Sequence, residues 1–383
     1  MTVTTPRGFR AAAATAGLKP SGSPDVALVV NDGPGHAAAA VFTSNRCKAN
    51  PVLWSEQAVK DGALRAVALN SGGANCFTGP QGFQTTHRTA EGVAEGLGVA
   101  AIDVLVCSTG LIGEPLDADR LLTGIRACVA ALSDTGGDAA AEAILTTDTR
   151  TKQAVVTRDA PSVAGMAKGA GMLAPALATM LVVMTTDAEV DAGACDRGLR
   201  AATGVSFDRL DSDGCMSTND TVVLMSSAAS QVRPTDHEFA DAVRELSLDL
   251  AAQLIGDAEG ADHEIAVTVV NAATEADAVE VARAIARSAL FKAAVFAKYP
   301  NWGRILAAVG TTAAAFDPTD LDVAMNGVWI CRNGEPGEPR ELVDLTGRSV
   351  TVTVDLKSGV GSATVWTTDL THAYVHENSA YST

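Results

Sequence analysis

The chain has 383 residues, with 28 Lys and Arg against 45 Asp and Glu and a formal net charge of -17 at pH 7. A polyanion is repelled by such a chain at long range, so nucleic acid and anionic membrane surfaces are poor partners. Hydrophobic residues make up 47% of it, yet no segment runs long enough without charge, Gly or Pro to cross a bilayer, and the length suits roughly two or three globular domains.

The opening "MTVTTPRGFRAAAATAGLKPSG" lacks the continuous apolar stretch of a secretory signal. Next, "DVALVV", "NDGPG" and "HAAAAVFTS" read as a hairpin around an Asp-Gly turn. "LRAVALNSGGANCFTG" is an apolar strand running into a loop of small residues. "IDVLVCSTGLIGEPL" repeats that plan and delivers Cys107, Ser108, Thr109 and Gly110 into a turn. "DADRLLTGIRACVAAL" and "DAAAEAIL" have helical spacing and capping acids. "LVVMTTD" and "NDTVVLMSS" are strand-like, with the helical "DAGACDRGLRAATGVSF" between them. From Asp236 the long helix "DHEFADAVRELSLDLAAQLIGDAEG" leads to the strand "EIAVTVV" and one helix, "EADAVEVARAIARSALFKAAVF". The tail holds three strands, "LDVAMNGVWI", "SVTVTVDL" and "SATVWTTDL". The pattern is α/β or α+β, with a second unit beginning around residues 235 to 260.

Cys47, Cys76, Cys107, Cys128, Cys195, Cys215 and Cys331 form no CxxC pair, and the six histidines form no HExxH. That usage fits a reducing cytoplasm without a disulfide framework, a structural metal or a catalytic metal. The Gly-rich turns match neither the GxxxxGK[ST] phosphate loop nor a GxGxxG opening a helix, and no GxSxG elbow is present. Cys107 lacks an evident electropositive niche and reads as a buried small residue.

The remaining candidate nucleophile is Thr179, in "KGAGMLAPALATMLVVMTTDAEV" (residues 168–190). A threonine there has an ordinary reading, a strand residue whose hydroxyl meets a backbone carbonyl. Its chemical reading needs a base, and the most economical one is the threonine's own α-amine, exposed by cutting the preceding bond. Pro175 fixes the chain locally, and Ala176 and Ala178 remove bulk beside the carbonyl to be attacked. The oxyanion of that attack needs donors, for which "CSTGLIG" offers the Thr109 hydroxyl and the Gly110 N–H. An ordinary strand ending in a Gly turn is the competing reading of that segment.

In family order, "NSGGAN", "STGLIG", "TTDT", "MAKGAGM", "STNDT", "DAEG", "PNWGRILAAVG" and the closing "YVHENSAYST" resemble segments of the ornithine acetyltransferases, the bifunctional glutamate N-acetyltransferases of arginine biosynthesis. The resemblance covers nearly the whole chain. It implies self-cleavage between Ala178 and Thr179 into an α fragment (1–178) and a β fragment (179–383), assembled as a cytoplasmic α2β2 heterotetramer. It implies the α/β sandwich of the self-processing DmpA-type aminopeptidases, with a main catalytic domain over about 1–240, built from both fragments, and a smaller C-terminal α/β unit over about 241–383. The implied reaction is a ping-pong transfer of acetyl from N-acetyl-L-ornithine to L-glutamate through acetyl-Thr179. No cofactor is implied, although some members also take acetyl-CoA as donor. Thr109 and Gly110 would be the oxyanion hole, and Thr146, Lys168, Thr179, Glu259, Asn378 and Thr383 would contact substrate. A cation such as Lys168 suits a carboxylate, and Glu259 suits ornithine's ammonium. Read without the resemblance, Lys168 is equally a solvated loop charge, Glu259 a helix-end residue and 378–383 a frayed terminus. Cys215 and Met216 depart from the Asp-Thr expected in many relatives, as does Tyr299 from an acidic residue. The alternatives are a self-processing aminopeptidase or amidase with water as acceptor, and an acidic metabolite-binding protein with a structural Thr179.

Overall fold

Three β-sheets organise the chain in the computed structural model, which describes residues 1–157, 161–173 and 180–380. In chain order the first elements are β1 (Phe9–Ala14), β2 (Val26–Asn31), β3 (Ala38–Phe42), α1 (Asn50–Ala58), β4 (Ala66–Asn70), α2 (Gly79–Leu97) and β5 (Val104–Ser108). They are followed by α3 (Ala118–Ala131), α4 (Gly137–Ala143), β6 (Lys152–Thr157), β7 (Ser162–Lys168), β8 (Leu181–Thr186), α5 (Ala192–Val205), β9 (Thr221–Ser226) and α6 (Asp236–Ile255). The rest comprises β10 (Glu264–Ala272), α7 (Glu275–Ala286), α8 (Ala289–Phe296), α9 (Trp302–Val309), β11 (Asp322–Met325), β12 (Val328–Arg332), β13 (Glu335–Pro336), β14 (Ser349–Asp355), β15 (Gly361–Thr368) and α10 (His372–Ala380).

The first sheet has the order β1-β2-β4-β5 and the second β3-β9-β8-β7-β6. Side chains alternate between the faces of a strand, so an apolar run such as "VALVV" serves two cores at once. Ala27 and Val29 of β2 point with Val67, Leu69 and Leu105 toward Met166, Leu181, Val183 and Val223 of the second sheet. Val26, Leu28 and Val30 pack instead with Ala90, Val93, Leu121 and Ile125 of α2 and α3. On the far side, Val182 and Met184 meet Leu199 of α5 and Val243, Leu246 and Leu250 of α6. The result is a helix-sheet-sheet-helix sandwich, the α/β architecture implied by the sequence. The third sheet, β13-β12-β11-β14-β10-β15, has its own core with α7, α8 and α9.

Three local expectations are corrected. The segment around "NDGPG" is no hairpin: β2 belongs to the first sheet and β3 to the second. The Gly35 N–H donates to the Ser227 carbonyl (2.9 Å) and Asn31 Nδ2 to the Ser226 carbonyl (3.0 Å), so the connection crosses the sandwich. A Cβ on Gly33 would lie 2.5 Å from Ser227 Cβ, which explains the glycine. The helix expected over 275–296 is two helices, because Ser288 caps α8 by accepting the Phe291 N–H (3.3 Å). "LDVAMNGVWI" is a hairpin, β11 to β12, turning at Asn326 and Gly327 with φ of 44° and 81°.

Candidate active site

Two neighbouring strands of the first sheet, β4 and β5, run parallel and end together, with Asn70 opposite Ser108. Their loops then brace each other. The Gly73 N–H donates to the Thr109 carbonyl (3.0 Å), the Ala74 N–H to Leu111 (2.9 Å) and the Thr109 N–H to Asn70 (2.9 Å). Asn219 reaches across from the second sheet and donates through Nδ2 to the carbonyls of Ala74 (2.6 Å) and Ser108 (2.8 Å). Gly110 has φ of 128°, and a Cβ there would sit 2.7 Å from the Gly73 nitrogen. The small residues of "NSGGAN" and "STGLIG" therefore permit two backbones to touch, which is why they resemble a phosphate loop without being one. Among the described residues the Gly110 N–H has no hydrogen-bond acceptor.

Lys168 closes β7 and is 1% exposed, so the solvated-loop alternative is excluded. Its Nζ donates to Thr146 Oγ1 (2.6 Å) and Thr109 Oγ1 (3.3 Å) and lies 3.8 Å from Asp148 Oδ2. Since Thr109 Oγ1 accepts from the ammonium, its own proton is free to point into the cavity, polarised by the cation behind it. Asp148 is the hub. It accepts from Lys152 Nζ (2.6 Å), the Gly169 N–H (2.6 Å) and the Thr146 N–H (3.1 Å). Lys152, itself fully buried, also donates to Asp257 (2.6 Å). Burial pushes the Asp148 carboxyl up, but Lys168, Lys152 and the Gly169 N–H outweigh it and hold the group at about 2. Burial lowers the Lys168 ammonium, with Asp148 the strongest opposing influence.

Glu259 follows α6, where its N–H donates to the Ala170 carbonyl (2.9 Å). Its carboxylate accepts from Thr147 Oγ1 (2.7 Å) and from Asn378 Nδ2 of α10 (3.1 Å). Gly171 leaves room for it, since a Cβ there would come within 2.5 Å of Glu259 Oε2. Thr109, Gly110, Thr146, Lys168, Glu259 and Asn378 thus line one cavity of about 400 Å³. Through Thr146, Thr147, Glu259 and Asn378 it opens to an outer cavity of about 910 Å³. Ala178, Thr179 and Thr383 lie outside the described residues. The chain is fixed next to Thr179, however: the Met180 N–H donates to Asp220 Oδ1 at 3.0 Å. Burial raises the Asp220 carboxyl well above the ordinary carboxylate range.

Sequence reasoning missed Asp148, Lys152, Asp257, Asn219 and Asp220. The Asp148–Lys152 spacing in "TTDTRTK" was a usable sign of an ion pair; the pairing of Lys152 with Asp257 had none. Of the departures, Cys215 is exposed on the loop before β9, Met216 accepts from Asn45 through its carbonyl (2.9 Å), and Tyr299 lies under the Arg340 guanidinium.

A family model described as the ArgJ family matches residues 10–383. The chain belongs to the ArgJ family. It is 62% identical over 382 residues to the arginine biosynthesis bifunctional protein ArgJ of Streptomyces coelicolor, covering 100% of both chains. It is 53% identical over 388 residues to the protein of that name from Mycobacterium tuberculosis, covering 99% of this chain and 96% of the relative. Among solved structures, an ornithine acetyltransferase from Mycobacterium tuberculosis complexed with ornithine aligns at 53% identity, covering 47% of this chain and 96% of that one, with a TM-score of 0.45. As an ArgJ-family member the chain is an acyltransferase of arginine biosynthesis. Among the described residues no helix is long and apolar enough to cross a membrane.

Proposed function

We propose that this ArgJ-family chain cuts itself between Ala178 and Thr179 and then transfers acetyl from N-acetyl-L-ornithine to L-glutamate. The fragments 1–178 and 179–383 stay associated as a cytoplasmic α2β2 assembly, with the catalytic domain over about 1–240 drawn from both and the smaller unit over about 241–383. One observation carries the reading: Gly110 and Thr109, whose hydroxyl accepts from the Lys168 ammonium, line one cavity together with Glu259.

In the cut, Thr179 Oγ attacks the Ala178 carbonyl, the oxyanion is stabilised by Thr109 and Gly110, the C–N bond breaks as the hydroxyl proton passes to the departing Thr179 nitrogen, and water hydrolyses the resulting ester to the Ala178 carboxylate and the free Thr179 hydroxyl. The freed α-amine, with an ordinary pKa of about 7.7 to 8.0, then takes the Oγ proton when the hydroxyl attacks the acetyl carbonyl. Ornithine leaves with that proton on its amine. The amine of glutamate attacks the acetyl ester, gives up a proton and restores the Thr179 hydroxyl. Glu259 meets the ornithine ammonium, while Thr146, Lys168, Asn378 and Thr383 complete the substrate contacts. Both half-reactions use these groups without a cofactor, and acetyl-CoA enters, where used, by acylating the same hydroxyl.

Steady-state release of ornithine from N-acetylornithine, with and without glutamate, tests the transfer. Release that rises with glutamate is expected; release indifferent to it makes water the acceptor and the chain an amidase. Thr109→Ala is expected to slow both maturation and turnover by on the order of 10² to 10³, the loss typical of one oxyanion donor. Unchanged rates on a gel time course and in the ornithine assay reject that role.

A further inference from the structure

The bond proposed as the cut lies between two described anchors, and residues 211–221 hold both. Upstream, buried Leu173 donates its N–H to Ser212 Oγ (3.1 Å) and accepts the Ser212 N–H on its carbonyl. The Met172 N–H donates to Asp213 Oδ2 at 2.7 Å, with Met172 at φ of 52°, a left-handed conformation that a methionine keeps only when its surroundings impose it. Downstream, Asp220 accepts the Met180 N–H, and the Thr221 N–H donates to the Met180 carbonyl (3.2 Å).

The 211–213 turn is fixed in its turn by the C-terminal unit. The Asp211 N–H donates to the Trp366 carbonyl of β15 (2.8 Å), and its carboxylate accepts from Arg287 Nε (2.8 Å). Lys292 of α8, 7% exposed, donates through Nζ to the Ser212 carbonyl. Among the described residues that carbonyl is the hydrogen-bond acceptor it reaches, with no carboxylate within ion-pair distance. Taking an ammonium out of water without a paired carboxylate is expensive, and a methionine would fill similar space without the cost. Asp213, Asp211 and Asp369 support the charge from beyond contact distance, and the direct contact it makes is the hold on Ser212.

We propose that Lys292 is a positioning residue for self-cleavage: it fixes the 211–213 turn, the turn fixes Met172 and Leu173, and the precursor is cut only after the C-terminal unit has docked. The inference rests on the proposed cut at Ala178–Thr179.

Full-length wild type, Lys292→Met, Lys292→Arg and Ser212→Ala are made by cell-free translation and followed on denaturing gels. Lys292→Met is expected to slow cleavage by on the order of 10², the scale of an ångström-level misplacement from a remote site. Lys292→Arg, which keeps a cationic donor, is expected to recover most of the rate, and Ser212→Ala to slow it less than Lys292→Met. Ornithine release per cut chain should stay within about twofold of wild type in Lys292→Met, separating positioning of the cut from chemistry. The Met172 and Leu173 amides should exchange faster in that variant than in wild type, while Val182 is unchanged. A Lys292→Met chain cut at the wild-type rate overturns the inference and leaves the proposed function standing; a wild-type chain that stays intact overturns both. Should Lys292→Met fail to fold, Ser212→Ala decides, and an unchanged rate there overturns the inference.

Discussion

Thr179→Ala is expected to remain one band of 39.0 kDa on a denaturing gel and to release no ornithine from N-acetylornithine. In the proposed mechanism one hydroxyl, that of Thr179, serves both as the attacking group of the cut and as the acetyl carrier, so maturation and turnover should fail together. The fold should persist, because β8 begins beyond it at Leu181 and Met180 keeps its bond to Asp220. The check is a gel with N-terminal sequencing beside the transfer assay and far-ultraviolet circular dichroism. Wild type should yield a fragment beginning Thr-Met-Leu. A Thr179→Ala chain that is still cut there, or still transfers acetyl, removes the nucleophile assignment.

Asp148→Asn is expected to have the second largest effect, through both stability and pH dependence. The native carboxyl is held at about 2, below its ordinary value near 3.8, so the native state favours the carboxylate form. The resulting stabilisation, on the order of 2 kcal/mol, is complete above the ordinary carboxylate pKa and is lost as pH falls through about 2. The variant forfeits it at pH 7 and leaves Lys152 and Lys168 buried with one acceptor fewer. Removing one partner from such a buried network typically costs about 3 to 5 kcal/mol. Urea titration at pH 7 measures this, and an unchanged midpoint refutes it. The sign for Lys168 is opposite. Burial already lowers it, Asp148 is its strongest support, Lys152 opposes it, and Glu259 and Asp220 support it from farther away. Without Asp148 it falls further, and a lysine loses its charge as pH rises through its pKa. The alkaline limb of the turnover profile should therefore move to lower pH in the variant.

The relation between the two halves of the molecule gives the maturation scheme its logic. Thr109, Gly110 and Lys168 belong to the first 178 residues, Glu259 and Asn378 to the remainder, and the ion-pair chain from Asp257 through Lys152 and Asp148 crosses between them. The proposed cut would leave these contacts to hold the two fragments together, since the contacting residues all lie away from the 178–179 bond. An enzyme whose nucleophile is made by hydrolysis needs such cross-links already formed in the precursor.

Much of the sandwich was legible as apolar runs. "VALVV", "AVALN" and "VLVCS" are buried on both faces, so periodicity and composition agree. The strands ending at Asn70 and Ser108 and the helices over 118–131 and 192–205 could be read the same way. The failures came where long-range contacts overruled local pattern. An Asp-Gly turn signals a hairpin only if both strands want the same sheet, and here Ser227 and Ser226 capture the turn for another. The 275–296 run is apolar enough for one helix, yet Ser288 finds the Phe291 amide and restarts it.

The sequence by itself determined the family and, through that resemblance, named Thr179, Thr109, Gly110, Thr146, Lys168, Glu259 and Asn378 as candidates, because these are chemical identities written in short motifs. Tertiary structure alone decided that Lys168 is buried and turned toward Thr109, and that Asp148, Lys152 and Asp257 balance its charge. It also decided that the C-terminal unit grips the turn facing Met172 and Leu173. Those outcomes depend on desolvation and on distances between residues far apart in the chain, and neither quantity exists until the chain has folded.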